Sequence, residues 1–105
     1  MFYDLTEAEW ICDSIATTIS GVRHTVVAGK GLMIEFDPRG SYTVYKGEIT
    51  SNNYRLSHDT VYYWEQGKEM QRERFFIIKE LANRKLHLWE KDSFAGKQFD
   101  EYYHY

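Results

Sequence analysis

Over much of this chain polarity changes at every second residue, and that alternation predicts β-strands. The clearest case lies at residues 32–45. Leu32, Ile34 and Phe36 fall on one side, and Tyr42 and Val44 continue that side beyond Asp37-Pro38-Arg39-Gly40. Aspartate first, proline second and glycine fourth is the residue order of a type I turn. A hairpin follows, with Leu32, Ile34, Phe36, Tyr42 and Val44 facing inward.

Residues 72–92 predict a second hairpin. Phe75 to Ile78 are aromatic or β-branched and suit a half-buried pleated surface. Leu86, Leu88 and Glu90 alternate with His87, Trp89 and Lys91. Ala82-Asn83-Arg84-Lys85 makes the turn, and Asn83 tolerates the left-handed backbone region there. The strand before that turn is expected over residues 69–79.

The remaining segments predict shorter strands at residues 10–20, 24–28, 53–58, 60–65 and 98–104. Tyr54, Leu56, Val61 and Tyr63 share the inward side, and Trp10 plugs one end. Lys46-Gly47-Glu48, His58-Asp59 and Gln66-Gly67-Lys68 supply turns, and residues 94–97 form a loop. Residues 1–9 read as a short lead-in with one turn of helix, and Thr6 and Glu9 have capping-box spacing. About eight short strands at intervals of roughly 8–12 residues predict an all-β sandwich or barrel. Consecutive short turns favour an antiparallel meander, and closing it removes the exposed edges. The expected fold is a small up-and-down barrel formed by one domain, residues 1–105.

Composition adjusts this picture in three places. Aromatic residues are 17% of the 105, and 9 of them are tyrosines, whose polar tips suit barrel interiors and wet binding surfaces. A net charge of −3 argues against binding nucleic acid by phosphate neutralisation. It also weighs against reading the aromatics as a platform for single strands. The single cysteine, Cys12, removes any internal disulfide framework and any cysteine-based zinc site, and reads as a buried, inert thiol. No apolar run reaches the length of a membrane span. Residues 1–9 lack the basic and apolar regions of a signal peptide. The expected compartment is the cytoplasm, or the periplasm or exterior if a leader has been removed.

Motifs for catalysis are missing. Gly29-Lys30-Gly31 is followed by a strand, whereas a phosphate loop needs a longer glycine frame and then Lys-Ser/Thr opening a helix. His24, His58, His87 and His104 lie one per element, without the paired spacing of metal ligands. No serine sits in a nucleophile elbow. Asp100 and Glu101 are adjacent on a strand and face opposite sides, so they cannot act together on one substrate. No catalytic residue, metal or cofactor is expected.

Taken together, Trp10, Phe36-Asp37-Pro38-Arg39-Gly40-Ser41-Tyr42, Asn53-Tyr54-Arg55-Leu56, and the spacing of Phe76, Ile78, Leu81, Leu86 and Leu88 resemble the small bacterial lipocalin-like domains of the calycin type. At Glu9 the chain departs from the family, which places glycine close before the tryptophan. The resemblance covers nearly the whole chain. It implies an antiparallel barrel of about eight strands whose interior or open end holds a small apolar ligand.

Two candidate sites follow from the alternation. Arg74 shares the parity of Phe76 and Ile78 and is expected at the barrel mouth. With Tyr42, Tyr54, Tyr63 or Tyr102 nearby it can fork onto a ligand carboxylate. The competing arrangement is internal pairing with Glu90 or Glu80. The second candidate is the outward set Trp64, Phe75, Ile77 and Trp89, which is unusually apolar for a water-facing surface and marks a partner or homodimer contact. Its competitor is cover by the N-terminal segment or by the loop at residues 21–31. The expected function is a non-catalytic module that binds a small apolar or amphipathic ligand, with protein interaction through the aromatic face as the alternative.

Overall fold

A computed structural model of the chain describes residues 2–6, 8–27, 31–65, 74–92 and 96–105. The strands are β1 (Glu9–Ile19), β2 (Val22–Val27), β3 (Met33–Phe36), β4 (Ser41–Lys46), β5 (Glu48–Ser57), β6 (Thr60–Glu65), β7 (Arg74–Ala82), β8 (Lys85–Asp92) and β9 (Lys97–His104), after a short helix α1 (Phe2–Thr6). Every pairing is antiparallel. β1 and β3 to β9 are hydrogen-bonded in order, and β1 pairs again with β9. That second pairing closes an eight-stranded barrel, and β2 is an extra strand outside the ring.

β1 is long enough to serve three neighbours. Its first residues pair with β3, from Glu9↔Glu35 to Ile11↔Met33. Its later residues pair on the same side with β2, from Ser14↔Val27 to Ile19↔Val22. β9 runs along its other side. β1, β2 and the start of β9 therefore form an arm that rises past the end of β3.

The turns obey local backbone rules. Ser20 and Gly21 both have positive φ, 51° and 80°, as do Asn83 and Arg84, 53° and 63°. Two successive left-handed residues make the tight hairpin turn whose twist matches the strands. At the aspartate turn the Gly40 N–H donates to the Asp37 carbonyl at 3.0 Å. The Arg39 N–H donates to the Asp37 carboxylate at 2.7 Å, which helps hold that carboxyl below its ordinary pKa.

The core is the inward face of the strands: Trp10, Cys12, Ile34, Phe36, Tyr42, Tyr54, Val61, Phe76, Ile78, Leu86, Leu88 and Tyr103 are buried together. Phe36 lies between aromatic neighbours, stacked on Tyr42 at 4.8 Å and edge-on to Tyr54 at 5.3 Å and Phe76 at 6.1 Å. Each such pair contributes about 1 kcal/mol beyond the area it removes from water.

One end of the barrel is sealed. Leu5 of α1 is fully buried, and its carbonyl accepts the Trp10 indole N–H at 3.0 Å. Tyr105 meets Trp10 edge-on at 4.9 Å, its N–H donates to the Arg84 carbonyl, and its carbonyl accepts from Arg84 Nε. Trp10 thus plugs this end, as its position predicted.

Four local expectations need correction. The expected N-terminal helical turn is present as α1, but it ends at Thr6 and Glu9 already belongs to β1, so the capping-box spacing is coincidental. β2 begins at Val22 rather than at residue 24. β5 begins at Glu48 rather than at residue 53, because its first four residues are exposed on both faces and show no alternation. The β7 register shifts between Ile78 and Glu80, so Ile78 faces Leu88 while Leu81 faces Leu86. That bulge keeps Leu81 with the core and turns Glu80 outward, which removes Glu80 as an inward partner for Arg74. The turn at residues 66–68, the start of the strand at residues 69–73, the loop positions 93–95 and the pair Gly29-Lys30 lie outside the described residues.

Candidate functional site

The end opposite Trp10, open among the described residues, carries the polar part of the interior. Directly opposed residues share a face, so the registers trace inward lanes across the sheet. One runs Val26, Ile15, Glu101, Leu88, Ile78; another runs His24, Thr17, Phe99, Glu90. Two carboxylates therefore project inward from neighbouring strands, embedded among apolar side chains.

Glu90 is buried, and one of its oxygens holds two partners. Its Oε1 accepts the Tyr63 hydroxyl at 2.8 Å and the Arg74 Nη2 at 2.8 Å. The Arg74 guanidinium lies 5.8 Å from the centre of the Tyr63 ring, yet its side chain remains 57% exposed. Arg74 thus sits at the mouth as its parity predicted, and internal pairing with Glu90 is the arrangement present.

Glu101 differs. Its Oε1 accepts the Tyr103 hydroxyl at 2.9 Å. Burial raises its pKa above the usual carboxylate range, and the Glu90 charge adds to this; Tyr103, Arg74 and Lys46 oppose the rise. Burial likewise pushes up the Tyr42, Tyr63 and Tyr103 phenols, with nearby carboxylates adding to it, and it pushes the Cys12 thiol up to about 11. The phenols and the thiol therefore stay protonated near neutrality, and Tyr63, Tyr103 and Cys12 each donate a hydrogen bond.

The four predicted ligand contacts separate into two groups. Tyr63 and Arg74 are opposed in the register and share Glu90. Tyr42 packs edge-on to Tyr63 at 5.5 Å beneath them. Tyr54 points the other way: its hydroxyl donates to the Asp37 carbonyl at 2.8 Å, toward the sealed end. Burial raises that phenol to about 12.

The arm contributes Ile19, Val22 and Val26 to the same face as Ile15, with Val26 in the lane of Glu101 and the Ile19–Val22 pair beyond it. All three are exposed, Val22 at 56% and Val26 at 65%. The open end thus combines an apolar rim with a polar floor. Parity arguments did not pick out the arm, because β2 is exposed on both faces.

On the outer wall, Phe75 lies opposite Tyr62 and Ile77 lies opposite both Thr60 and Trp89. Trp64 is on the same face at the Asn53 register. Phe75 is 42% exposed, and Trp64, Ile77 and Trp89 are half-buried. Arg55 covers the Tyr62 ring at 4.0 Å, and Lys79 sits 5.3 Å from the centre of Trp89. The four predicted partner contacts therefore occupy one wall.

That wall continues into a network that the linear sequence does not reveal. His87 Nε2 meets Asp100 Oδ1 at 2.7 Å. Asp100 Oδ2 accepts from Arg23 at 3.2 Å, Arg23 also donates to the Tyr102 hydroxyl at 3.1 Å, and Tyr102 stacks on His87 at 4.3 Å. The network ties the arm to β8 and β9. Asp100 faces out and Glu101 faces in, as adjacent strand residues must.

Among the described residues, no group of three or more His, Cys, Asp or Glu side chains is arranged to hold a metal ion. No helix there is long and apolar enough to cross a membrane. No family model, curated protein or solved structure matches the chain.

Proposed function

We propose that the chain is a non-catalytic binding module of lipocalin-like type that takes a small amphipathic molecule at its open end. The observation that carries this reading is the inward Tyr63–Glu90–Arg74 cluster on the same sheet face as the exposed Ile19, Val22 and Val26. An apolar segment of the ligand lies against the rim, and its head reaches the floor. The packed rings of Phe36, Tyr42 and Phe76 limit how deep it can go.

The floor also favours one head chemistry. The Arg74 charge is offset by Glu90, and Glu101 adds a second inward carboxylate. A uncharged or cationic head suits this balance better than a carboxylate. The test is a titration with two fluorescent chain probes, one ending in an amine and one in a carboxylate. The amine probe should bind more tightly, and Val26→Asp should weaken its apolar contact at least several-fold. Absence of saturable binding by either probe sinks the reading. Preference for the carboxylate probe, lost in Arg74→Ala, would return the guanidinium to the role of anion fork.

A second reading is favoured by the outer wall. Phe75 is exposed beside Tyr62, Ile77 and Trp89, with Trp64 on the same face, and such a patch suits contact with another protein. If this wall is an interface, Phe75→Glu or Trp89→Glu lowers the particle mass in solution.

A further inference from the structure

We infer that the outer edge of β2 is a strand-pairing site for a second copy of this chain, joined around a two-fold axis at Thr25. The inference does not depend on the ligand reading.

The barrel removes edges everywhere in its ring, but β2 stands outside the ring. Among the described residues it pairs with β1 alone. The tight turn at Ser20-Gly21 decides which of its groups are free. In a two-residue hairpin, the flanking residues exchange both backbone hydrogen bonds, and alternate pairs do so along the ladder. The flanking pair is Ile19↔Val22. Val22, His24 and Val26 therefore direct their N–H and C=O groups at β1. Arg23, Thr25 and Val27 direct theirs away from it.

Natural edge strands are protected by lysine, proline, a bulge or an inward charge. β2 reads Val-Arg-His-Thr-Val-Val and has neither lysine nor proline. Its register with β1 is unbroken. Its single formal charge, on Arg23, is turned back to Asp100 and Tyr102. The same contacts hold the arm in place before any partner arrives, which lowers the ordering cost of association.

The partner is set by self-complementarity. Antiparallel pairing about a two-fold axis at Thr25 places Thr25 opposite its own copy and Arg23 opposite Val27 of the partner subunit. Every outward N–H and C=O of the three residues then finds an acceptor or donor. His24 falls opposite Val26 of the partner subunit, threonine pairs with threonine, and no two like charges are opposed. The contact is isologous, so it closes at two copies.

One strand pair is a small interface, so association should appear only at high concentration, with mass rising from one chain toward two between about 5 and 500 µM. Sedimentation measures that mass, and amide hydrogen exchange reads the register. The Arg23 and Thr25 amides should gain protection as concentration rises, while the His24 and Val26 amides stay protected throughout. Thr25→Pro removes only an outward N–H and should abolish the mass shift while leaving the circular dichroism unchanged. Should that variant misfold, Thr25→Lys keeps the backbone intact and sets two like charges face to face on the axis. A chain monomeric at the highest concentration overturns the inference. So do an Arg23 or Thr25 amide indifferent to concentration, or a folded position-25 variant that dimerises like the parent.

Discussion

At the sealed end of the barrel, Trp10 is buried to 1% exposure and each of its neighbours is fixed by a backbone contact. Leu5 accepts its indole N–H, and Tyr105 is pinned to Arg84 on both its N–H and its carbonyl. At the open end, the inward positions carry Glu90, Glu101 and Arg74, and the strands run on into an arm bearing exposed valines. The same antiparallel ladder supports both ends. One end concentrates apolar burial, and the other carries charge at a cost in stability. The stability of this barrel is therefore unevenly distributed and concentrated at the sealed end.

The largest expected effect breaks the sealed end. Trp10→Ala removes a fully buried indole and leaves the Leu5 carbonyl unpaired, which should cost about 3–5 kcal/mol by chemical denaturation. A loss under about 1 kcal/mol would mean that the plug is ornamental. Next comes Arg74→Met, which leaves buried Glu90 without its cation. The expected loss is about 2 kcal/mol, less than for a fully buried pair because the guanidinium is largely solvated.

Glu101→Gln should act in the opposite direction, stabilising the fold at neutral pH by about 1 kcal/mol. The sign follows from its raised pKa. A carboxyl with a raised folded-state pKa contributes its stability below the ordinary carboxylate value and loses it as pH rises through the folded value. The parent should therefore lose stability with rising pH across that window, while Glu101→Gln should show a flatter profile in thermal melts. Identical profiles would remove Glu101 from the account. The smallest effect is expected on the outer wall, where Phe75→Glu should shift stability by under about 0.5 kcal/mol because its ring is already half in water.

Alternation made much of the ring legible. It placed Ile34, Phe36, Tyr42, Val61, Phe76 and Leu88 inward, and it put Arg74 at the mouth with Glu90 as a possible internal partner. It failed where both faces of a strand meet water. Residues 48–51 and β2 show no two-fold period because neither of their faces joins the core. It also failed at the bulge after Ile78, where one extra residue reversed the parity of Glu80. The Arg23–Asp100–His87 network spans strands distant in sequence, so no spacing rule could have found it. The open end is legible only in part for the same reason: its floor alternates, and its rim does not.

The pairing of β1 with β9 also governs how the chain reaches this shape. Ile11 must find His104, and Ile19 must find Lys97. Neighbouring hairpins from β3 to β8 can zip locally, but the ring cannot close until β9 has been synthesised. Such distant closure makes folding slow relative to its local hairpins. Until then β1 and β8 each present an open edge, so the nascent barrel is at its most association-prone just before its last strand arrives.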